Sequence, residues 1–537
     1  MAHVRWWHPD PYDRPMTSGV LTQASEPETP APAPVQPVRA VADIVRRRLA
    51  PAPKGGLSFW LVAALITGIG LLLRLVNLAH PKDVIFDEVY YANEAQDLLQ
   101  RGVEWNPEDN TPQYVVHPPL GKWMIGLGEQ LFGYNSFGWR ISAVTVGAIS
   151  ILLIVIAAYK LFRSTILAGL AGLLMSLDGM HFVLSRVALL DIFLMFWIVV
   201  AFFFLVLDRE QRRARWLRLL ENGLEPNRPG ARPRLGFPWY RLLSAISLGL
   251  ACGVKWSGIY YVAIFAVAMV AFDMSARRSA GYKHWVREGI LSDGFAWFVA
   301  TFAIAVVVYI NCWWGWFLSD GGYFRHWYAE SNGLAHDRWF DPLVNLWHYH
   351  HEAYNFHVTL ETKHQYQSWP WQWLLLGRPV AFYWEQSGTC GAPSCAAEIL
   401  LLGTPLLWWS FLPALIALGW LAIARRDGRA WLIMAGALTG IVPWFNEMPE
   451  HRTMFYFYCL PSEPFLVLAV VYVLGAILGP ARKLRPNSDQ RLIGSIIVGS
   501  YVVLVAACFA YFYPIYAGVD IPYTSWFARM WLGSRWV

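Results

Sequence analysis

Long apolar segments recur along this chain, and they decide what it can fold into. A helix needs about 20 mostly apolar residues to cross the roughly 30 Å hydrocarbon layer of a bilayer. Charged residues make up only 15% of the chain, whereas about 25% is usual for a soluble protein. The sequence therefore predicts an all-α membrane protein with many crossings, whose clear candidates are 57–79, 140–159, 293–313, 402–423, 455–478 and 493–513.

Three further apolar segments determine the number of crossings. Segment 165–207 is too long for one crossing and contains charged residues, so we predict two helices with a hairpin near 180–187. Segment 431–445 is short but acceptable. Segment 239–272 is long for one crossing and tight for two. With a break at 253–255, every Arg-rich loop lies on the side of the N-terminus, in agreement with the positive-inside tendency. We therefore predict about 11 helices, with a cytoplasmic N-terminus.

This topology divides the chain into five parts. A disordered cytoplasmic tail precedes a transmembrane catalytic module, which includes an extracytoplasmic loop at 80–138. A second, larger loop and the C-terminal tail are expected on the same outer face of the cell membrane. Cys390 and Cys395 lie close together in the larger loop, where an oxidising compartment would permit a disulfide. The predicted parts are 1–56, 57–313, 314–401, 402–513 and 514–537.

Two adjacent carboxylates, Asp87 and Glu88, follow the first apolar segment by a few residues. One interpretation is structural: a helix N-cap followed by an acid that faces the helix dipole. The other is catalytic, because Phe86 and the run 89–91 surround the pair with apolar surface. Such surroundings raise the pKa of a carboxylate by desolvation and favour its use as a general base.

Several charged residues lie in or at the ends of apolar segments, where an unpaired charge is costly. In the predicted topology they converge near the outer face of the membrane. Cations in that place suit the phosphate of a lipid-linked donor, because Arg offers a bidentate fork and Lys a point charge. The candidates are Arg74, Arg140, Arg186, Asp191, Lys255 and Arg452, together with His117 and Lys122 of the polar loop.

The loop 314–401 contains seven of the 14 histidines. Their spacing matches no recognisable ligand pattern, so no cofactor is expected, although a divalent metal is conceivable. The Trp and Tyr residues between them are typical of a helix lying in the membrane interface. The net charge of +6 is explained by Arg in short loops, and nucleic acid is not an expected partner. The histidines include His348, His350, His351, His357 and His364.

Five motifs occur in a fixed order along the chain. They are Arg74 with Phe86-Asp87-Glu88-Val89-Tyr90-Tyr91, His117-Pro118-Pro119-Leu120-Gly121-Lys122, Phe137-Gly138-Trp139-Arg140, Ser185-Arg186-Val187-Ala188-Leu189-Leu190-Asp191, and Gly253-Val254-Lys255-Trp256-Ser257-Gly258. Together they resemble the protein O-mannosyltransferases, which are integral-membrane glycosyltransferases of the C-type fold. The resemblance covers about residues 57–537.

The resemblance implies transfer of mannose from polyprenyl-phosphate mannose to Ser or Thr of an exported protein. It assigns Asp87 as the catalytic Asp with Glu88 beside it, and ties Arg74, Arg140 and Lys255 to activity or to the donor phosphate. A single in-line displacement with inversion is expected, by the geometry that inverting glycosidases use with water. The expected partners are the lipid donor, membrane lipids and an acceptor protein, which the Sec translocon would deliver.

One departure from the family and two other functions stay open at this point. The loop 314–401 is too short for the lumenal β-trefoil of eukaryotic members, so the chain resembles the bacterial, actinobacterial-type form. A related C-type transferase could move another lipid-linked sugar, such as arabinose or aminoarabinose, to a glycan or lipid. A secondary transporter is less favoured, because transporters commonly have two related halves and the sequence shows no such repeat.

Overall fold

The computed structural model describes residues 38–228, 233, 235–387, 390–447, 452–479 and 489–537. Residues Val45–Val537 form one compact unit. The helices are α1 Val38–Leu49, α2 Leu57–Leu75, α3 Glu88–Arg101, α4 Leu120–Phe132, α5 Ser136–Phe162, α6 Thr165–Ser176, α7 Gly179–Leu184, α8 Leu190–Glu221, α9 Trp239–Val254, α10 Gly258–Ser279, α11 Trp285–Gly289, α12 Phe295–Cys312, α13 Trp314–Leu318, α14 Trp327–Ser331, α15 Asp341–Val358, α16 Pro370–Trp373, α17 Pro405–Arg425, α18 Gly428–Thr439, α19 Glu463–Leu478, α20 Asp489–Ala517 and α21 Tyr523–Phe527. The strands are β1 Trp105–Asn106, β2 Thr111–Pro112, β3 Val380–Ser387, β4 Cys395–Leu401 and β5 Ile521–Pro522.

Most of the chain is a helical bundle, as predicted. Among the described residues, eight helices are long and apolar enough to cross a membrane, and α6 and α9 are shorter apolar helices. The polytopic helical class is confirmed, while the number of 11 crossings stays a prediction. The predicted disordered tail lies largely outside the described residues. Its last part contains α1, which was not predicted.

The two predicted interruptions of the apolar runs are confirmed. Between α6 and α8 the chain forms the short helix α7, whose N-cap Asp178 accepts the amide of His181 at 3.0 Å. Between α9 and α10, Lys255 adopts an extended conformation with φ −146° and ψ 142°. The guanidinium of Arg186, just before α8, donates to the carbonyl of Arg74 near the end of α2 at 2.8 Å. The breaks therefore bring the starts of α8 and α10 to the end of the bundle where α2 finishes.

A buried ion network joins three helices at the opposite end of the bundle. Arg241 of α9 contacts Asp208 of α8 at 2.8 Å and Asp273 of α10 at 2.9 Å, and all three side chains are fully buried. Arg212 of α8 contacts the same Asp273 at 2.7 Å. Because buried charges are tolerated only when they are paired and hydrogen-bonded, this network fixes the three helices against one another.

Strands β3 and β4 of the large loop belong to a three-stranded antiparallel sheet, in the order β3-β4-β5, where only helices were predicted. Every residue of β4 is buried, so the strand lacks the apolar–polar alternation that would reveal it in the sequence. Ala381 pairs with Leu400 and Tyr383 with Ile399, which leaves Phe382 as the extra residue of a β-bulge. The C-terminal tail joins the sheet through β5.

The disulfide that was considered from the sequence is present. Cys390 and Cys395 are bonded, with 5.9 Å between their Cα atoms. They lie in the β3–β4 hairpin, beside the pairing of β4 with β5. The bond therefore covalently closes the part of the loop on which the C-terminal tail packs.

Candidate active site

Asp87 precedes α3 at the N-cap position but does not cap it. Its carboxylate makes no capping hydrogen bond within the described structure, and the side chain is half-buried. Burial raises the pKa of Asp87 to about 6; Lys255 opposes this rise, and Asp191 and Glu94 add to it. The capping interpretation therefore does not account for this carboxylate. The two charged groups that act on it most strongly, Lys255 and Asp191, are far from it in the sequence.

Glu88, the second carboxylate, is fully buried and fully bonded. Arg140 of α5 donates its Nε and Nη2 groups to the two oxygens at 2.8 Å each. The amides of Ile85 and Ala188 donate to the same carboxylate at 3.1 and 2.9 Å. Each oxygen therefore already accepts two hydrogen bonds. Arg140 also donates to the carbonyl of Pro81 at 2.7 Å, so the pair ties α3, α5 and the residues before α8 together.

Arg74 and Arg186 are bonded to the protein itself. The Nη2 group of Arg74 lies 2.6 Å from Nδ1 of His181. Arg186 donates to the carbonyls of Arg74 and Val76 at 2.8 and 2.6 Å. Both guanidinium groups lie over the ring of Phe182, at 5.6 and 5.2 Å from its centroid. These arginines hold α7 against the end of α2, a position that favours a structural role over contact with a donor phosphate.

Lys122 of α4 lies between two acidic side chains. Its ammonium group contacts Glu94 at 3.2 Å and Glu104 more closely. The lysine is fully buried, and one cation between two carboxylates leaves this group with a net negative charge. Glu94 lies seven residues after Asp87, a spacing that puts both acids on one face of α3. Lys122 thus partly neutralises the two acids near Asp87. Its own charge is therefore less available to an anionic ligand.

Four of the residues predicted from the sequence meet at one cavity of about 560 Å³, which is lined by His117, Asp191, Lys255 and Arg452. The ammonium group of Lys255 contacts Asp191, in the first turn of α8, at 2.7 Å. Lys255 and Asp191 are also among the charged groups that act on Asp87. Much of the remaining lining is apolar and comes from α10 and α12, through Ile259, Val262, Phe302, Ala305 and Val306.

Two side-chain nitrogen atoms of residues that line the cavity are buried and lack a partner in the part of the chain that the structure describes. Nη1 of Arg452 and Nδ1 of His357 find no hydrogen-bond partner among the described residues. The Nε group of Arg452 donates to the carbonyl of His357 at 2.9 Å, which fixes the two side chains together. Buried, unpaired polar atoms call for a partner. Nη1 of Arg452 is a donor, whereas Nδ1 of the neutral His357 is an acceptor, because Nε2 of that ring donates to the carbonyl of Val116 at 3.2 Å. A ligand oxygen would accept from Arg452, and a ligand hydroxyl would donate to His357.

The two histidines of the cavity are adjacent and uncharged. The rings of His117 and His357 are 5.4 Å apart. Burial, with Lys255 adding to it, lowers the pKa of His117 well below its usual range. Burial also lowers the pKa of His357 to about 4. At neutral pH both imidazoles can therefore bond a ligand without adding positive charge to that of Lys255 and Arg452.

Sequence reasoning did not assign three of the residues that line this cavity: His357, Trp256 and Tyr458. Trp256 follows Lys255 in the motif and donates to the hydroxyl of Tyr309 at 2.9 Å. The ammonium group of Lys255 lies 5.5 Å from the ring centroid of Tyr458. Position in the motif could have indicated Trp256, whereas His357 and Tyr458 come from distant segments that only the fold brings here.

The loop histidines pack against aromatic rings and do not converge on a point. His348 stacks on Trp327 at 3.8 Å and His350 on Trp256 at 5.6 Å between ring centroids. Within the described ranges, the one close group of three metal-ligating side chains comprises Cys390, Cys395 and Asp520. Its two cysteines form the disulfide, so these residues do not fit a catalytic metal. The expectation of no cofactor stays a prediction.

The family models and the relatives that match most of the chain indicate one family. A model described as "Dolichyl-phosphate-mannose-protein mannosyltransferase" matches residues 64–225, and one described as "C-terminal four TMM region of protein-O-mannosyltransferase" matches 342–536. A relative from Mycolicibacterium smegmatis, named polyprenol-phosphate-mannose–protein mannosyltransferase, is 39% identical over 88% of this chain and 92% of its own length. A relative of the same name from Mycobacterium tuberculosis is 37% identical over 97% and 99%.

A solved structure supports the same fold. The S. cerevisiae protein O-mannosyltransferase Pmt1-Pmt2 complex, bound to its sugar donor, aligns with a TM-score of 0.67 at 15% identity. The alignment covers 92% of this chain and 94% of that chain. By these matches, the chain belongs to the protein O-mannosyltransferase family and has its C-type glycosyltransferase fold.

Proposed function

We propose that the protein transfers mannose from polyprenyl-phosphate mannose to Ser or Thr hydroxyls of acceptor proteins, with inversion. The family and the names of its relatives supply the donor and acceptor classes. The single observation that carries the proposal is the setting of Asp87. Its carboxylate is half-buried and does not cap its own helix, and Lys255 of the cavity is its strongest cationic neighbour.

The cavity suits a lipid-linked sugar phosphate in size and in chemistry. Its volume of about 560 Å³ lies within the roughly 300–1,000 Å³ usual for ligand sites. Lys255 and Nη1 of Arg452, which has no partner among the described residues, would bind the phosphate. Nδ1 of the neutral His357 would accept a hydrogen bond from a sugar hydroxyl. The apolar walls from α10 and α12 would receive the first isoprene units. Cations at this position stabilise the charge that develops on the departing phosphate.

Asp87 would act as the general base. With a pKa of about 6, roughly nine tenths of this carboxylate is ionised at pH 7, and it is still a stronger base than an ordinary Asp. It accepts the proton of the Ser or Thr hydroxyl as the hydroxyl oxygen attacks the anomeric carbon. The bond from that carbon to the phosphate oxygen breaks on the opposite face, and polyprenyl phosphate leaves. One displacement inverts the anomeric centre.

The remaining predicted residues would support this site from behind. Glu88 and Arg140 would hold the start of α3, and Arg74 with Arg186 would hold the end of α2. Lys122 would neutralise the acids beside Asp87. These roles replace direct contact with the donor, because the hydrogen-bonding groups of these side chains are largely bonded to the protein.

We also propose the location of the reaction. The Arg-rich loops predict a cytoplasmic N-terminus in the cell membrane, which puts Asp87 and the cavity at the extracytoplasmic face. The acceptor would then be a secreted or membrane protein that meets the enzyme as it leaves the Sec translocon. Periplasmic-side labelling of a cysteine introduced at exposed Trp339, in intact cells, tests this orientation.

The test of the function is reconstitution. Purified enzyme in lipid vesicles is given radiolabelled polyprenyl-phosphate mannose and a Thr/Pro-rich peptide. We expect labelled peptide whose mannose is released by base as an O-linked sugar, and we expect EDTA to leave the rate unchanged. Polyprenyl-phosphate aminoarabinose is the matched control donor. Transfer of aminoarabinose with no transfer of mannose would contradict the proposal.

A further inference from the structure

The residue before Asp87 has an unusual backbone conformation. Phe86 has a φ of +49°, which lies in the left-handed region that residues other than glycine seldom adopt. Such a conformation is unfavourable and persists only where surrounding contacts enforce it. The amide of Glu88 donates to the carbonyl of Ile85 at 3.0 Å across this turn. The proposed base therefore follows a turn that its local sequence alone disfavours.

The ring of Phe86 is held by the sheet that sequence analysis did not foresee. It stacks on Phe382, with 4.7 Å between ring centroids and 29° between planes. Phe382 is the bulged residue of β3, and its side chain is buried. A β-bulge redirects a side chain, and bulges are frequent beside active sites. Here the bulge directs a phenyl ring onto the residue next to Asp87.

Two further rings complete an aromatic cluster of Phe86, Phe382, Phe455 and Phe457. Phe455 and Phe457 meet Phe86 edge to face, at 6.3 and 6.1 Å, within the range of roughly 4.5–7 Å in which such pairs are favourable. They lie parallel to each other at 5.3 Å. Phe457 also lies 5.8 Å from Nζ of Lys255. The cluster thus reaches from the turn before Asp87 to Lys255, the cation that lowers the pKa of Asp87.

We propose that Phe86 and Phe382 are positioning residues, which through this aromatic cluster fix the carboxylate of Asp87 relative to Lys255 and keep water away from it. The inference rests on the proposed role of Asp87 as the base. It adds that the β3 bulge, more than 290 residues further along the chain, determines the position of the Asp87 carboxylate. That position must be correct to well under 1 Å for the carboxylate to take the proton of the acceptor hydroxyl.

Removing the cluster should affect catalysis in a way that a general loss of stability does not. A looser turn displaces the carboxylate, and a misplacement of about 1 Å lowers the rate by about 100-fold. The looser turn also admits water, which favours the ionised carboxylate and lowers the pKa of Asp87. The acid limb of the kcat profile, expected near pH 6 from Asp87, should therefore move down. The KM for the donor should stay within about twofold.

The experiment uses Phe382→Ala, Phe86→Gly and the double variant in full-length enzyme in vesicles. Glycine adopts positive φ freely, so Phe86→Gly can still form the turn but lacks the ring that fixes it. We expect each single variant to lower kcat by about 10- to 100-fold and to shift the acid limb down by about one pH unit. The kcat of the double variant should be no more than about twofold lower than that of the slower single variant, because both substitutions remove the same stack.

Phe411→Ala is the matched control. Phe411 is a fully buried phenylalanine of α17 that packs on Trp408, and its removal leaves a comparable void in the bundle. When rates are normalised to the amount of folded enzyme, the acid limb of the kcat profile of Phe411→Ala should stay at the wild-type pH. An unmoved acid limb in both cluster variants would overturn the inference, as would strictly multiplicative losses in the double variant.

Failure of this inference is distinguishable from failure of the proposed function. If Asp87→Asn keeps the wild-type rate, the base assignment fails, and the cluster has nothing to position. If Asp87→Asn is inactive while Phe382→Ala and Phe86→Gly keep the wild-type kcat and pH profile, the base assignment holds and the positioning inference fails.

Discussion

Replacement of Glu88 by Met should strongly destabilise the protein, because it removes the partner of a buried cation. The Glu88 and Arg140 side chains are 0% and 1% exposed. The carboxylate accepts two hydrogen bonds from Arg140 at 2.8 Å each, and one from each of two backbone amides. After the substitution, the guanidinium would keep its charge in an apolar interior with only backbone carbonyls as acceptors.

The expected loss follows from these contacts. Breaking a buried ion pair by removing one partner reduces the free energy of unfolding by about 3–5 kcal/mol. Arg140→Met should be similarly destabilising, since it leaves the carboxylate buried and unpaired. The double variant removes both charges, so its loss should be smaller than the sum of the two single losses by at least about 2 kcal/mol.

The assay is equilibrium unfolding in mixed micelles by titration with SDS, followed by tryptophan fluorescence. Glu221→Met is the control, because Glu221 pairs with Arg46 at an exposed position where the side chains are 43% and 64% accessible. An exposed pair contributes no more than about 1 kcal/mol. If Glu88→Met lost no more stability than this control, or if the losses were additive in the double variant, the reasoning from buried pairing would be refuted.

Three other predictions concern the donor site, the pH dependence and the opposite end of the bundle. Lys255→Met should weaken donor affinity by about 10- to 100-fold, as expected for one charge-assisted hydrogen bond of about 1.5–3 kcal/mol; donor titration measures this, and Asp191→Asn, which keeps the cation, should not weaken binding. The transfer rate should rise with pH through about 6 and then level off, because Asp87 must be ionised to accept a proton and its pKa is about 6; a rate that falls across that range would contradict the base role. Arg241→Met should reduce the free energy of unfolding by about 3–5 kcal/mol, since it leaves Asp208 and Asp273 without their shared partner, while donor affinity, measured by the same titration, stays unchanged.

The sequence predicted the helical bundle and the main elements of the site for identifiable reasons. Apolar length and the requirement that the Arg-rich loops share one side of the membrane were enough to find the break at Gly253-Val254-Lys255, between α9 and α10. The order of the motifs was enough to indicate the family. Asp191, Lys255 and Arg452 could be grouped in advance because each lies near an end of an apolar segment on the predicted outer face, and His117 because it lies in the polar loop on that face. The structure brings all four to one cavity.

The remaining features depend on contacts that no local pattern encodes. Nothing in the sequence indicates that Lys122 pairs with Glu94 and Glu104, so it resembled a free cation. Arg186 likewise resembled a phosphate ligand, but it donates to carbonyls at the end of α2. The strands of the large loop were missed because β4 is buried on both faces. The contact of Phe382 with Phe86 depends on the bulge in that same sheet.

The account depends most on Asp87 being the base, and single-turnover transfer by Asp87→Asn tests this most directly. The variant should fold, because the amide replaces a carboxylate that makes no capping hydrogen bond in the described structure. It should bind polyprenyl-phosphate mannose with near wild-type affinity, since Lys255 and Arg452 are retained. We predict a rate at least about 100-fold lower than that of the wild type, in line with the loss of a general base. A transfer rate close to that of the wild type, with donor fully bound, would contradict the account.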